Sequence, residues 1–156
     1  MPATLRFVVR ETSSYSVGTP KPLLDSPESL TEFFRNSIEA DEENEMQKEH
    51  LVLIALDSRL RLIGFNILSI GTLNETSAHP REIMRAAIVA NASRFAIMHN
   101  HPSGDSSPSS ADIRFTKQIR EAAELMMIPL VDHIIVPSID SSLASEYYSF
   151  REAGII

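Results

Sequence analysis

Residues 94–112 read RFAIMHNHPSGDSSPSSAD, and this stretch decides the fold. Arg94–Met98 is a short, mostly apolar run of strand type. A polar loop carrying Pro102, Gly104 and Pro108 follows. Ser109 stands three residues before Asp112, the spacing of a capping box at a helix start. Phe115, Ile119, Ala122 and Met126 then recur at helical spacing, which predicts a helix over 110–127. Pro129 ends it, and Leu130–Val136 is again a strand.

Working outward, His50–Leu56 is almost wholly apolar and predicts a strand covered on both faces. Asp57-Ser58-Arg59 is a turn, and Leu60–Ile70 a second strand that closes a hairpin. Gly71–Ala78 is a polar loop. His79-Pro80-Arg81-Glu82 opens a helix whose apolar stripe is Ile83, Ala87 and Ala90. Earlier in the chain, Ser26-Pro27 starts a helix, with Ser as N-cap and Pro at the first position. Leu30, Phe33, Phe34 and Ile38 form its inner face. The acidic run Asp41–Glu45 is a solvated segment that ends or follows it. Residues 1–25 read as an N-terminal strand, 5–10, and a loop. Residues 138–156 are a weakly patterned tail, with a helix over 143–152. Helices and strands interleave around at least one hairpin, so the expected fold is an α/β sandwich on a mixed sheet, one domain over 1–156.

Composition narrows the function. At 156 residues, 43% hydrophobic and 22% charged, the chain has the make-up of one soluble globular domain. It has no cysteine, which excludes a disulfide scaffold, a thiol nucleophile, an iron–sulfur cluster and a thiolate metal site. A net charge of −7 argues against a protein that coats nucleic acid, because such binding rests on clustered Lys and Arg. Without a long apolar run or a signal peptide, no membrane role is expected and the expected location is the cytoplasm.

The chemistry concentrates at His99, His101 and Asp112. Side chains alternate along a strand, so both histidines project from one face with Phe95 and Ile97. A glycine-containing loop can return the chain so that Asp112, in the first turn of the next helix, meets them. Two imidazoles and a carboxylate leave a fourth tetrahedral position for water, the ligand pattern of a catalytic zinc. Taken singly, each part has a bland explanation: an isolated H-x-H is common, and Ser109-x-x-Asp112 caps a helix without any metal. The combination of strand, paired histidines, turn and capped helix is far more specific. The triplet His99-Asn100-His101 is not a nuclease signature of the His-Asn-His type, whose residues are dispersed over a ββα unit.

H-x-H-P at 99–102 followed by Ser109 and Asp112 resembles the JAMM (MPN+) metalloprotease motif. Five blocks, GTLN (71–74), HPRE (79–82), HNHPSGD (99–105), PSSAD (108–112) and DHIIV (132–136), resemble more narrowly the RadC family of bacterial JAMM-like proteins. The resemblance covers residues 49–136. It implies a three-layer, cytidine-deaminase-like JAMM/MPN fold with one zinc on His99, His101 and Asp112, and a peptide or protein as substrate. It also implies a general base, which the JAMM pattern sets at the start of the strand after the first helix. Glu49 is there; Glu42, Glu43, Glu45 and Glu82 are its rivals. Ser109 matches the family serine that stabilises the oxyanion. The function expected is zinc-dependent hydrolysis of a peptide or isopeptide bond. The alternative is an accessory factor in DNA repair or recombination without proteolytic turnover. Full-length RadC proteins carry a helix-hairpin-helix DNA-binding region, and none of residues 1–48 read as the G-x-G hairpins of such a region. The substrate itself, the oligomeric state and any role for Asp132 and His133 beyond a hydrogen-bonded structural pair are not readable from the sequence.

Overall fold

The central strand of the sheet is the one that carries both histidines. The computed structural model describes residues 20–41, 43–71, 79–138 and 146–156. In chain order its elements are α1 (Pro27–Phe34), continued by a π-helical segment (Arg35–Glu39) that carries buried Ile38, β1 (His50–Leu56), β2 (Leu62–Ile70), α2 (Pro80–Val89), β3 (Arg94–His101), α3 (Ser110–Leu125), β4 (Leu130–Pro137) and β5 (Tyr148–Ser149). The strand order is β2-β1-β3-β4-β5. β1 lies antiparallel to β2 and β3, whereas β3 and β4 are parallel and joined through α3. The sheet is therefore mixed, as the hairpin and the strand–helix–strand unit together require.

The sheet is covered on both faces, which explains why β1 is buried at every residue and reads as a continuous apolar run. On one face Val52, Ile54 and Leu56 of β1 and Ala96 and Met98 of β3 pack against Leu30, Phe33 and Phe34 of α1. On the other, Leu51 and Leu53 with Phe95 and Ile97 pack against Ile83 and Ala87 of α2 and Ile119 and Ala123 of α3. Alternate residues of each strand serve opposite layers. The result is the expected α/β three-layer sandwich.

Helix starts follow their local chemistry. Ser26 caps α1, with Pro27 at its first position. His79 caps α2 through its ring, which accepts from the Arg81 N–H at 3.2 Å, and Pro80 follows. Two expectations change. The inward stripe of α3 is Asp112, Thr116, Ile119 and Ala123, while Met126 is 44% exposed. The stripe is turned because two of its inward members are polar and do not register as apolar periodicity. The expected helix over 143–152 is absent from its described part: Tyr148 and Ser149 pair with Ile135 and Ile134 as β5, and a turn follows. Open hydrogen-bonding positions along β4 and the Asp132 carboxylate hold this segment extended. The N-terminal strand expected over 5–10 lies outside the described residues.

Candidate metal centre

β3 ends at its C-terminal edge with His99 and His101 on the α3 side of the sheet. His99 is fully buried and His101 half-buried. The next four residues form a turn, with the Gly104 N–H donating to the His101 carbonyl at 3.1 Å. Gly104 has φ +82°, the left-handed region that glycine enters without strain. The chain then climbs to α3. The Ser109 hydroxyl accepts from the Asp112 N–H at 3.1 Å and donates to Asp112 Oδ2 at 2.6 Å, and the Ser109 N–H donates to the same oxygen at 2.7 Å. This reciprocal cap, together with the inward stripe of α3, aims the Asp112 carboxylate at the two imidazoles.

One ligand atom from each of His99, His101 and Asp112 lies within 4.8 Å of the others, so these three could hold a metal ion. His99 Nε2 and His101 Nε2 are 3.0 Å apart. Asp112 Oδ1 is 3.5 Å from His99 Nε2, and Oδ2 is 3.8 Å from His101 Nε2. His101 Nδ1 donates to the main-chain carbonyl of Asp105 at 2.7 Å. A carbonyl only accepts, so in the neutral ring Nδ1 carries the proton and Nε2 presents a lone pair to the centre. Two nitrogens bound to a tetrahedral zinc at about 2.0 Å would be roughly 3.3 Å apart; the observed spacing is close to that. Burial, opposed by the Asp112 charge and assisted by His101, pushes His99 down to about 3, so it is the neutral imidazole that a metal requires. The donor set and its spacing fit a divalent metal.

Around this cluster stand groups to which the sequence assigned no part in the site. His99 Nδ1 lies 2.8 Å from His133 Nε2. His133 Nδ1 lies 2.6 Å from the Thr116 hydroxyl. The His133 ring stacks on Phe150 at 4.5 Å, and burial pushes its basicity well below the ordinary value, helped by His99 and His101. Asp132 and His133 are hydrogen-bonded as expected, from the His133 main chain to the Asp132 carboxylate, while their side chains have different partners. Asp132 accepts from the His133 main-chain N–H at 2.8 Å, the Arg151 N–H at 3.0 Å and the Ser149 hydroxyl. Successive strand residues face opposite sides, which separates them. Asn100, between the ligands in sequence, faces away from them and grips the segment before β1. The sequence signal for both was a polar residue within an otherwise buried strand.

Glu49 is half-buried and immediately precedes β1. Its carbonyl accepts from the Gly71 N–H at 2.9 Å. The Leu51–His99 pairing, carried two residues further, sets Glu49 opposite His101, on the face shared by both histidines. It is not among the three converging groups. Glu42 lies outside the described residues. Glu45 pairs with Lys48 at 2.6 Å and Glu43 is exposed. Glu82 pairs with Arg85 at 3.1 Å in the first turn of α2.

Fold and site together define an α/β protein of JAB/MPN type with a metal-ready His-x-His-plus-Asp centre. The sequence matches the RadC-like JAB domain family over residues 24–155, and the chain belongs to that family. It is 50% identical over 104 residues to a UPF0758 protein of Thermosynechococcus vestitus, covering 67% of this chain and 39% of that protein. UPF0758 proteins of Chlorobium chlorochromatii and Thermotoga maritima are 41% and 42% identical over 109 residues, 70% of this chain and 46% of each relative. The chain thus spans less than half the length of these relatives. Among the described residues no helix is long and apolar enough to cross a membrane.

Proposed function

We propose that this protein is a zinc-dependent hydrolase that cleaves a peptide or isopeptide bond with an activated water. The observation that carries this reading is the convergence of His99 Nε2, His101 Nε2 and the Asp112 carboxylate at a strand end where His101 is only half-buried, which gives a substrate access. Bound zinc would lower the pKa of water and polarise the scissile carbonyl.

The chain supplies the rest. Glu49, on the histidine face next to β1, takes the proton of the attacking water and passes it to the leaving amine. The Ser109 hydroxyl, now donating to Asp112 Oδ2, turns to the developing oxyanion; its main-chain N–H still holds the carboxylate. Asn100 fixes the segment that carries Glu49. A cytoplasmic location and a peptide or protein partner complete the proposal. The net charge of −7 favours it over direct action on nucleic acid.

The test is incubation of the protein with a degenerate library of peptides and isopeptide-linked peptides, with and without chelator, read by mass spectrometry. Chelator-sensitive products that return on adding zinc support the reading. Absence of products from a zinc-loaded protein across the library would overturn it.

A further inference from the structure

The contacts around His133 fix the direction of every proton between α3 and His99. Thr116 Oγ1 is 2.6 Å from the main-chain carbonyl of Asp112. That carbonyl has no proton to give, so the hydroxyl hydrogen belongs to this bond. The same oxygen is 2.6 Å from His133 Nδ1. Having spent its hydrogen, it accepts there, and His133 Nδ1 carries the proton. His133 Nε2 is then a lone pair, and at 2.8 Å it accepts from His99 Nδ1–H. His99 Nε2 is left unprotonated and faces the Nε2 of His101 at 3.0 Å.

We propose that Thr116 and His133 are positioning residues that lock His99 in the tautomer whose Nε2 can ligate a metal. The relay begins at the main chain of Asp112 and ends on His99, so it ties together two of the three groups of the centre. It runs from α3 through β4 to β3. His133 is held in plane by Phe150, stacked at 4.5 Å and 8°, and Phe115, edge-on at 6.2 Å. Thr116 and His133 are both fully buried, so water does not substitute for either partner. A histidine that only filled the core would need neither a defined proton order nor an end at His99. Outer hydrogen-bond partners of metal-binding histidines fix ring orientation and basicity in this way. The inference rests on the proposal that His99, His101 and Asp112 hold zinc.

The experiment has two readouts. First, long-range ¹H–¹⁵N correlation spectra of the metal-free full chain report which ring nitrogen of His99 and of His133 is protonated. Both rings are expected to carry the proton on Nδ1. A proton on Nε2 of His99 would overturn the inference, whatever the zinc reading's fate. Second, zinc affinity is measured by competition with a chromophoric chelator. Thr116→Val keeps the volume and removes the acceptor, which frees His133 to present an N–H to His99. Affinity is expected to fall about 10–100-fold, the usual worth of such a partner, and Thr116→Ser is expected to restore it. Unchanged affinity in folded Thr116→Val would overturn the relay. If the wild type itself bound no zinc, the proposed function would fail, while the tautomer measurement would still decide the proton order.

Discussion

The side-chain carbonyl of Asn100 accepts from the main-chain N–H of His50 at 2.8 Å, on the face of the sheet opposite the two histidines. Its amide donates to the carbonyls of Met46 at 3.2 Å and Lys48 at 3.0 Å and lies 2.8 Å from the Ser138 hydroxyl. One buried side chain thus clamps residues 46–50, and with them the backbone of Glu49. Asn100→Ala is expected to lower stability by about 3 kcal/mol, because buried partners lose their bonds. Zinc per folded chain should stay constant, while hydrolysis of any accepted peptide falls. Urea unfolding beside metal analysis checks this; loss of zinc with activity intact would contradict it.

Glu49 and Asp112 are expected to fail differently. Glu49→Gln should retain zinc and thermal stability and lose about 10²–10⁴-fold in turnover, the usual worth of a general base. Asp112→Asn should lose zinc and turnover together. Zinc content measured beside turnover separates the two. A zinc-free Glu49→Gln would make Glu49 a ligand, and a fully active one would move the base elsewhere, with Glu82 the next candidate.

One zinc per chain is expected after dialysis, and none in the double variant His99→Ala, His101→Ala. Because the metal binds only the folded centre, chelator should lower the Tm and zinc should restore it by mass action. Metal analysis and thermal scans decide; a melting curve indifferent to chelator would count against a bound metal.

Duplex DNA should bind weakly. With a net charge of −7, affinity for random duplex is expected to be weaker than roughly micromolar at physiological salt. A gel shift showing sub-micromolar binding with a steep salt dependence would revive the accessory role in repair.

Asp132 is a structural anchor of β5. Burial raises its carboxyl pKa despite the opposing bonds from Ser149, Arg151 and His133. Asp132→Ala should cost about 2–4 kcal/mol by stranding buried donors, with zinc affinity unchanged. This contrasts with Thr116→Val. Denaturation and chelator competition on the same sample test it.

Much of this was legible in the sequence. Apolar runs located β1 and β4, caps located the helix starts, and the H-x-H with Ser109 and Asp112 gathered the candidate metal centre within one strand–loop–helix segment. Local spacing carries such information because neighbouring residues share an element. The roles of Thr116, Asn100 and His133 beside the site escaped because they arise from contacts across elements: His99 meets His133 thirty-four residues on, and Asn100 meets Met46 fifty-four residues back. Periodicity does not encode which distant polar groups will meet. Asp112 and Thr116 also hid the inward face of α3, since hydrophobic patterning counts polar residues as outward.

The uneven spacing of these parts along the chain has a consequence for partial unfolding. His99, His101 and Asp112 are joined by a short loop, whose closure has a small entropic penalty. In the proposed mechanism Glu49 would face the centre only when β1 is paired, and His133 reaches His99 only when β4 is. Disruption of the β1 pairing would displace Glu49, the proposed proton acceptor, before it dispersed the ligands, whereas disruption of β4 would also weaken the hold on a metal through His99. If the proposed function holds, a molecule damaged at β1 would retain a metal while having lost its chemistry, and metal content alone would overcount the competent molecules in an ageing preparation.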